Sequence, residues 1–138
     1  MEKMFIMSSL NGLPIFFAYF VSGLILFVLF LFIYSRVTPY KEFHLIKKGN
    51  MAAASSLAGA MLGFVIPLAN AIAESVSLVD MVIWGAIALA VQLLAFIAVR
   101  FIVPRVAKDI AEGKVASGLF LGSLSLSLGI LNAACITY

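Results

Sequence analysis

The sequence predicts an all-α polytopic membrane protein, with four transmembrane helices arranged as two parallel repeats and a short cytoplasmic interfacial amphipathic helix in each. Three observations carry that expectation. Of 138 residues, 64% are hydrophobic and 11% charged, whereas a soluble domain carries about 25% charged residues; water is the wrong solvent for this chain. The apolar residues fall into four runs, 13–34, 51–73, 79–103 and 115–136, each of about 22 to 25 residues, long enough to cross a hydrocarbon core of about 30 Å as a helix. The charged residues, finally, collect in the gaps between the runs. The strict two-residue alternation of a β-barrel strand is absent. Four spans with short loops use nearly the whole chain and leave no room for a soluble catalytic domain.

The first run carries Phe16, Phe17, Phe20, Phe27, Phe30 and Phe32, so it reads as bulky on every side and lipid-facing. It exceeds the 7–15 apolar residues usual for a signal peptide, has only Lys3 as a preceding positive charge and lacks a following A-x-A site, so it is expected to remain as a span. An interfacial helix is then expected over 39–48. Thr38 would cap it, Pro39 would take its first position, and Gly49 would close it in the left-handed conformation. Tyr40, Phe43 and Ile46 would form its apolar stripe.

The second run has a small-residue face at Ala52, Ser56, Gly59 and Gly63, continued by Asn70 and Glu74, with Pro67 one turn before Asn70. The turn ESVSLVD follows, in which Ser77 and Asp80 have capping-box spacing and should start the third span. That span carries Gln92 midway and Trp84 near its outer end, where an interfacial indole is expected. Residues 104–112 repeat the Pro-to-Gly arrangement, from Pro104 to Gly113, with Val103, Val106 or Ala107, and Ile110 as the apolar side. The fourth run repeats the small-residue face at Gly118, Gly122, Ser125, Gly129 and Ala133, with Asn132 alongside. Small residues let helix backbones approach closely in lipid, so spans two and four are the expected centre.

Charge sets the orientation. Lys3 precedes the first span; Arg36, Lys41, Lys47 and Lys48 follow it; Arg100, Arg105, Lys108 and Lys114 lie around the third loop; the second loop holds only Glu74 and Asp80. Lys and Arg are retained on the cytoplasmic side. Both basic loops are therefore expected there, with both termini and the acidic turn periplasmic. Gly49 and Gly113, Ala52 and Ala116, Leu57 and Leu121, Leu62 and Leu126, and Ile66 and Ile130 match at an offset of 64. Together with the matched loops this divides the chain into a first membrane repeat, 1–74, and a second, 75–138, running in the same direction.

Sites for chemistry are sparse. No span contains a central Asp, Glu, Lys, Arg or His, which opposes an ion-coupled transporter or proton pump. Glu74 falls at a wetted helix end. Asn70 and Asn132 are expected either to bond helices together or to line a polar path, to which Pro67 could add a freed backbone carbonyl. His44 has no second ligand at metal spacing, and Cys135, the single cysteine, permits no internal disulfide and packs as a small apolar residue. Phosphate loops, nucleophile elbows and histidine pairs are missing. No enzyme, cofactor, metal or nucleic-acid partner is expected.

The segments PYKEFHLIKKGNMAAASSLAGAMLGFVIPLANAI and GKVASGLFLGSLSLSLGILNAACIT resemble the YjfL-like family of bacterial inner-membrane proteins, a tandem two-copy membrane domain of unknown function, over nearly the whole chain. The most specific stretches are Ile46–Ala52 and Gly129–Thr137; Lys114 stands where the first copy has Asn50. The resemblance implies four helices in a bacterial inner membrane. It also implies a genomic setting with phage-shock-like membrane-remodelling proteins and an ATP-grasp enzyme similar to glutathionylspermidine synthase, and hence an envelope-stress system with such a cytoplasmic partner. From the residues, the leading expectation is an oligomeric scaffold. It would present a basic surface of Arg36, Lys41, Lys47, Lys48, Arg105, Lys108 and Lys114 to anionic lipid or a cytoplasmic protein. The alternative is a small-solute or ion channel along the polar faces of spans two and four.

Overall fold

The computed structural model describes residues 1–136 and contains seven helices among them: α1 (Glu2–Leu10), α2 (Leu13–Val37), α3 (Glu42–Lys47), α4 (Met51–Glu74), α5 (Leu78–Ile102), α6 (Val106–Ala111) and α7 (Val115–Cys135). Glu2–Val37, Met51–Glu74, Leu78–Ile102 and Val115–Cys135 are each long and apolar enough to cross a membrane.

Glycine decides what sits at the centre. A Cβ on Gly118 would lie 2.2 Å from the Ala52 carbonyl oxygen, one on Gly59 2.0 Å from that of Gly122, and one on Gly129 2.1 Å from that of Gly63. The backbones of α4 and α7 therefore touch, and the order of the contacts makes the two helices parallel. In lipid, where apolar side chains gain nothing by leaving solvent, such close backbone approach supplies the association energy. Tyr34 meets Phe96, and Gly85 faces both Leu26 and Leu68. These contacts make α5 antiparallel to α4 and place α2 across both. Pro67 lies inside α4, which continues through it and buries it.

The first span is two-sided rather than lipid-facing all round. Phe16, Phe17, Phe20 and Phe32 are exposed, but Phe30 and Tyr34 are fully buried, and Phe30 stacks on Phe64 with ring centroids 4.5 Å apart. Small residues on α4 leave room for these rings, which is why α2 turns one aromatic face inward. No residue of α1 is buried.

Pro39 and Pro104 act differently from the sequence expectation. Thr38 is the C-cap of α2, and the N-cap of α3 is Lys41. Pro39 disfavours the helical conformation for the residue before it; Thr38 is accordingly extended, at φ −72° and ψ 135°. Pro104 likewise follows a non-helical Val103, and Arg105 is the N-cap of α6. Each proline stops a span instead of starting a short helix. The glycines behave as expected: Gly49 has φ 84° and Gly113 φ 83°. Each closes its helix with the same pair of backbone bonds, Gly49 to Ile46 and Asn50 to Leu45, and Gly113 to Ile110 and Lys114 to Asp109. Ser77 caps α5 by accepting from the Asp80 amide at 3.1 Å.

Candidate functional site

Hydrogen bonds between helices fall where the sequence singled out polar residues. Gln92 Nε2 on α5 donates to the Ser125 carbonyl at 3.0 Å, and Asn70 Nδ2 on α4 donates to the Ala133 carbonyl on α7 at 3.0 Å. Asn132 is not joined to Asn70; its Nδ2 is buried without a partner, as are Gln92 Oε1 and Ser125 Oγ. Gly59, Gly63, Gly118, Gly122 and Gly129 are all buried against the facing helix. Glu74 is the exposed last residue of α4. Cys135, the last residue of α7, is exposed rather than packed.

Eight basic side chains, Arg36, Lys41, Lys47, Lys48, Arg100, Arg105, Lys108 and Lys114, are exposed at the end of the bundle that carries α3 and α6. Asn50 binds that end together. Its side chain accepts from the Ala53 amide at 3.0 Å, capping α4, and donates to the Ile110 carbonyl of α6 at 2.8 Å. Among the described residues the ion pairs are those of Lys114, with Asp109 at 3.3 Å and Glu112 at 3.6 Å. Lys114 is thus partly neutralised and contributes less to the basic surface than its sequence position suggests. Arg36 lies over the Phe32 ring at 4.9 Å and Arg100 over Phe96 at 5.8 Å, leaving their charge outward. Desolvation pushes the Asp109 carboxyl up, but hydrogen bonds from Ser117 and Lys114 and the charges of Lys114 and Arg105 outweigh it and hold it below its usual 3.8.

The residue that sequence reasoning missed is Glu42. The expected apolar stripe was Tyr40, Phe43 and Ile46, but α3 begins only at Glu42, so its inward face is Glu42, Leu45 and Ile46, and Phe43 is 49% exposed. Glu42 is 1% exposed. One carboxyl oxygen bonds the Thr38 hydroxyl; the other, Oε2, is buried without a partner, and so are the hydroxyls of Tyr34 and Tyr40. Tyr34 and Tyr40 both turn their rings edge-on to Phe96, with centroids 6.3 Å away. Burial raises the Glu42 carboxyl above its usual 4.5, with the Thr38 hydroxyl and the local backbone amide opposing. Burial also raises the Tyr40 phenol; the neighbouring Ser56 hydroxyl lowers it, and Glu42 raises it further. Ser56 itself donates to the Ala53 carbonyl at 3.0 Å. The spacing Glu42, Leu45, Ile46 is itself a helical face and was the available signal.

These features define a four-span helical membrane protein with a glycine-lined backbone seam, a basic end and one buried acid. The chain belongs to the family described as Domain of Unknown Function (DUF350), which matches residues 7–136. It is 45% identical to the UPF0719 inner membrane protein YjfL of Escherichia coli K12 over 132 residues, covering 96% of this chain and 100% of that protein. It is 31% identical to the UPF0719 transmembrane protein YshE of Bacillus subtilis over 121 residues, covering 86% and 90%. No solved structure matches it.

Proposed function

We propose that this protein is a non-enzymatic inner-membrane scaffold whose basic end lies at the cytoplasmic face, with both termini periplasmic, and gathers anionic lipid headgroups there. The observation that carries this reading is the gathering of eight exposed Lys and Arg side chains at one end of the bundle, of which only Lys114 has an ion pair among the described residues. Each such charge near an anionic leaflet contributes about 1 kcal/mol. Bound headgroups would in turn recruit a cytoplasmic partner of an envelope-stress system, of the membrane-remodelling or ATP-grasp kind that the YjfL-like resemblance implies. The close contact of Gly59 with Gly122 leaves little space for a solute route between α4 and α7 and weighs against the channel alternative. Because the glycine faces meet within one chain, oligomerisation would use the outer faces of α2, α5 or α7.

The test is native mass measurement of the full chain released from nanodiscs of mixed zwitterionic and anionic lipid. Retained anionic lipid is expected, and the combined substitutions K47Q, K48Q, R105Q and K108Q should remove most of it. Equal retention by the substituted protein would sink the proposal. A reporter after Tyr138 should read periplasmic.

A further inference from the structure

Glu42 is the one fully buried acidic side chain among the described residues, and no cation is paired with it. A carboxyl so placed is stabilised by a counter-ion, by hydrogen-bond donors or by a proton. From α2 comes the Tyr34 phenol, while Arg36 is turned over Phe32. The α2–α3 link gives the Tyr40 phenol and Lys41, which is exposed. His44 and Lys47 of α3 are exposed. At this level α4 offers Ser56, and α5 offers the Phe96 ring, with Arg100 lying over that ring. None of these cations forms an ion pair with the carboxyl, and the Thr38 hydroxyl reaches only one of its oxygens, so Oε2 is the place where a proton would stabilise it.

We propose that Glu42, flanked by Tyr34 and Tyr40, is a proton-binding site of the bundle: it is a carboxylic acid while α3 is docked and gives up its proton when α3 lifts away. Three buried oxygens, Glu42 Oε2 and the two phenol hydroxyls, have no hydrogen-bond partner, so no donor at Oε2 holds the carboxyl as an anion. Release breaks the carboxyl O–H bond, leaves its electron pair on the carboxylate and passes the proton to water. Glu42 also borders an open cleft of about 510 Å³, formed with Ser35, Arg36, Lys41, Phe43 and His44, which gives the proton an exit. There the carboxylate would gain water and two cationic neighbours in place of the phenol rings. Lys47 and Lys48 sit at the other end of α3 and would move with it, so the protonation state of Glu42 would set how the basic surface is presented. Only this last consequence rests on the scaffold reading; the proton site stands without it.

The test is a pH titration of the full chain in nanodiscs, following the protonated-carboxyl infrared band and, separately, hydrogen exchange of the α3 amides. The wild type should show a protonated-carboxyl band at neutral pH that is absent from E42Q. Exchange of the α3 amides should rise as that band titrates away, with no such step in E42Q, while H44Q keeps the step and so separates it from histidine titration. Y40F, which keeps the ring packing, should move the titration midpoint and so tests the cluster even if E42Q folds poorly. A Glu42 already ionised at neutral pH, an exchange step unchanged in E42Q, or a midpoint unmoved in Y40F would each overturn the proposal. Lipid retention, measured independently, distinguishes failure here from failure of the scaffold reading.

Discussion

Helices α3 and α6 are both six residues long, stand at the same end of the bundle and close on a glycine of φ 83–84°. What they bury is opposite. α6 inserts Val106 and Ile110, both 0% exposed; α3 inserts Glu42 at the position that corresponds to Val106 at the sequence offset of 64. The apolar solution is the inexpensive one, since it needs no hydrogen-bond partner. α3 accommodates its acid only because Thr38, left at the C-cap of α2 by Pro39, places a hydroxyl against it. Where Thr38 stands before α3, Ile102 stands before α6, and no equivalent hydroxyl is supplied. The short helices thus need only an inward-facing side chain of suitable size to dock, and the polarity at α3 is an addition to that requirement.

The largest effect should come from forcing the chemistry of α3 onto α6. V106E would bury a carboxyl with no hydroxyl to receive it and should lower unfolding stability by at least about 3 kcal/mol, measured as a reduced denaturant midpoint in mild detergent. If V106E were as stable as the wild type, the two sites would not differ as described. The reverse exchange is smaller. E42V removes a buried acid whose unpartnered oxygen costs stability, but also removes the bond to the Thr38 hydroxyl, so the net change at neutral pH should stay within about 1 kcal/mol.

The pH dependence of E42V sharpens the contrast. In the wild type, the folded-state pKa of Glu42 is raised above 4.5. Its favourable contribution is therefore fully present below pH 4.5 and is lost as pH rises through the higher folded value. E42V should remove that downward slope, and thermal unfolding across pH 4 to 9 would show it. A slope identical in both proteins would mean that Glu42 is not the group responsible.

Much of this was legible in the chain and some was not. The four spans follow from apolar run length alone, and the inward faces of α4 and α7 follow from Gly59, Gly63, Gly118, Gly122 and Gly129, because only backbone contact rewards so many glycines in lipid. Gly49 and Gly113 announced their left-handed closure for the same conformational reason. Glu42 was hidden because a one-letter pattern shows polarity but not where a helix begins: with α3 starting at Glu42, Tyr40 lies outside the helix and the stripe of Tyr40, Phe43 and Ile46 is broken. Phe30 and Tyr34 were hidden because α2 carries aromatic residues on the outward side too, at Phe16, Phe17, Phe20 and Phe32, so ring type alone does not mark the face that packs.

Two smaller substitutions probe how each short helix is tied to the span after it. Asn50 both caps α4 and bonds Ile110 of α6, so N50A should cost about 1 to 2 kcal/mol and loosen both short helices together in hydrogen exchange. The tie at α6 is partly exposed and partly ionic. Asp109 accepts from Ser117 at 3.0 Å and from Lys114 at 3.3 Å, and its carboxyl is held below 3.8. The stability it contributes is present above that value and disappears as pH falls through the lower folded-state pKa. D109N should therefore lower the unfolding temperature at neutral pH by less than N50A does, with a loss that shrinks in high salt as exposed ion pairs do. A loss equal to that of N50A and indifferent to salt would show that α6, like α3, is held by a buried polar contact, and the asymmetry between the two helices would then be confined to Glu42 and Val106.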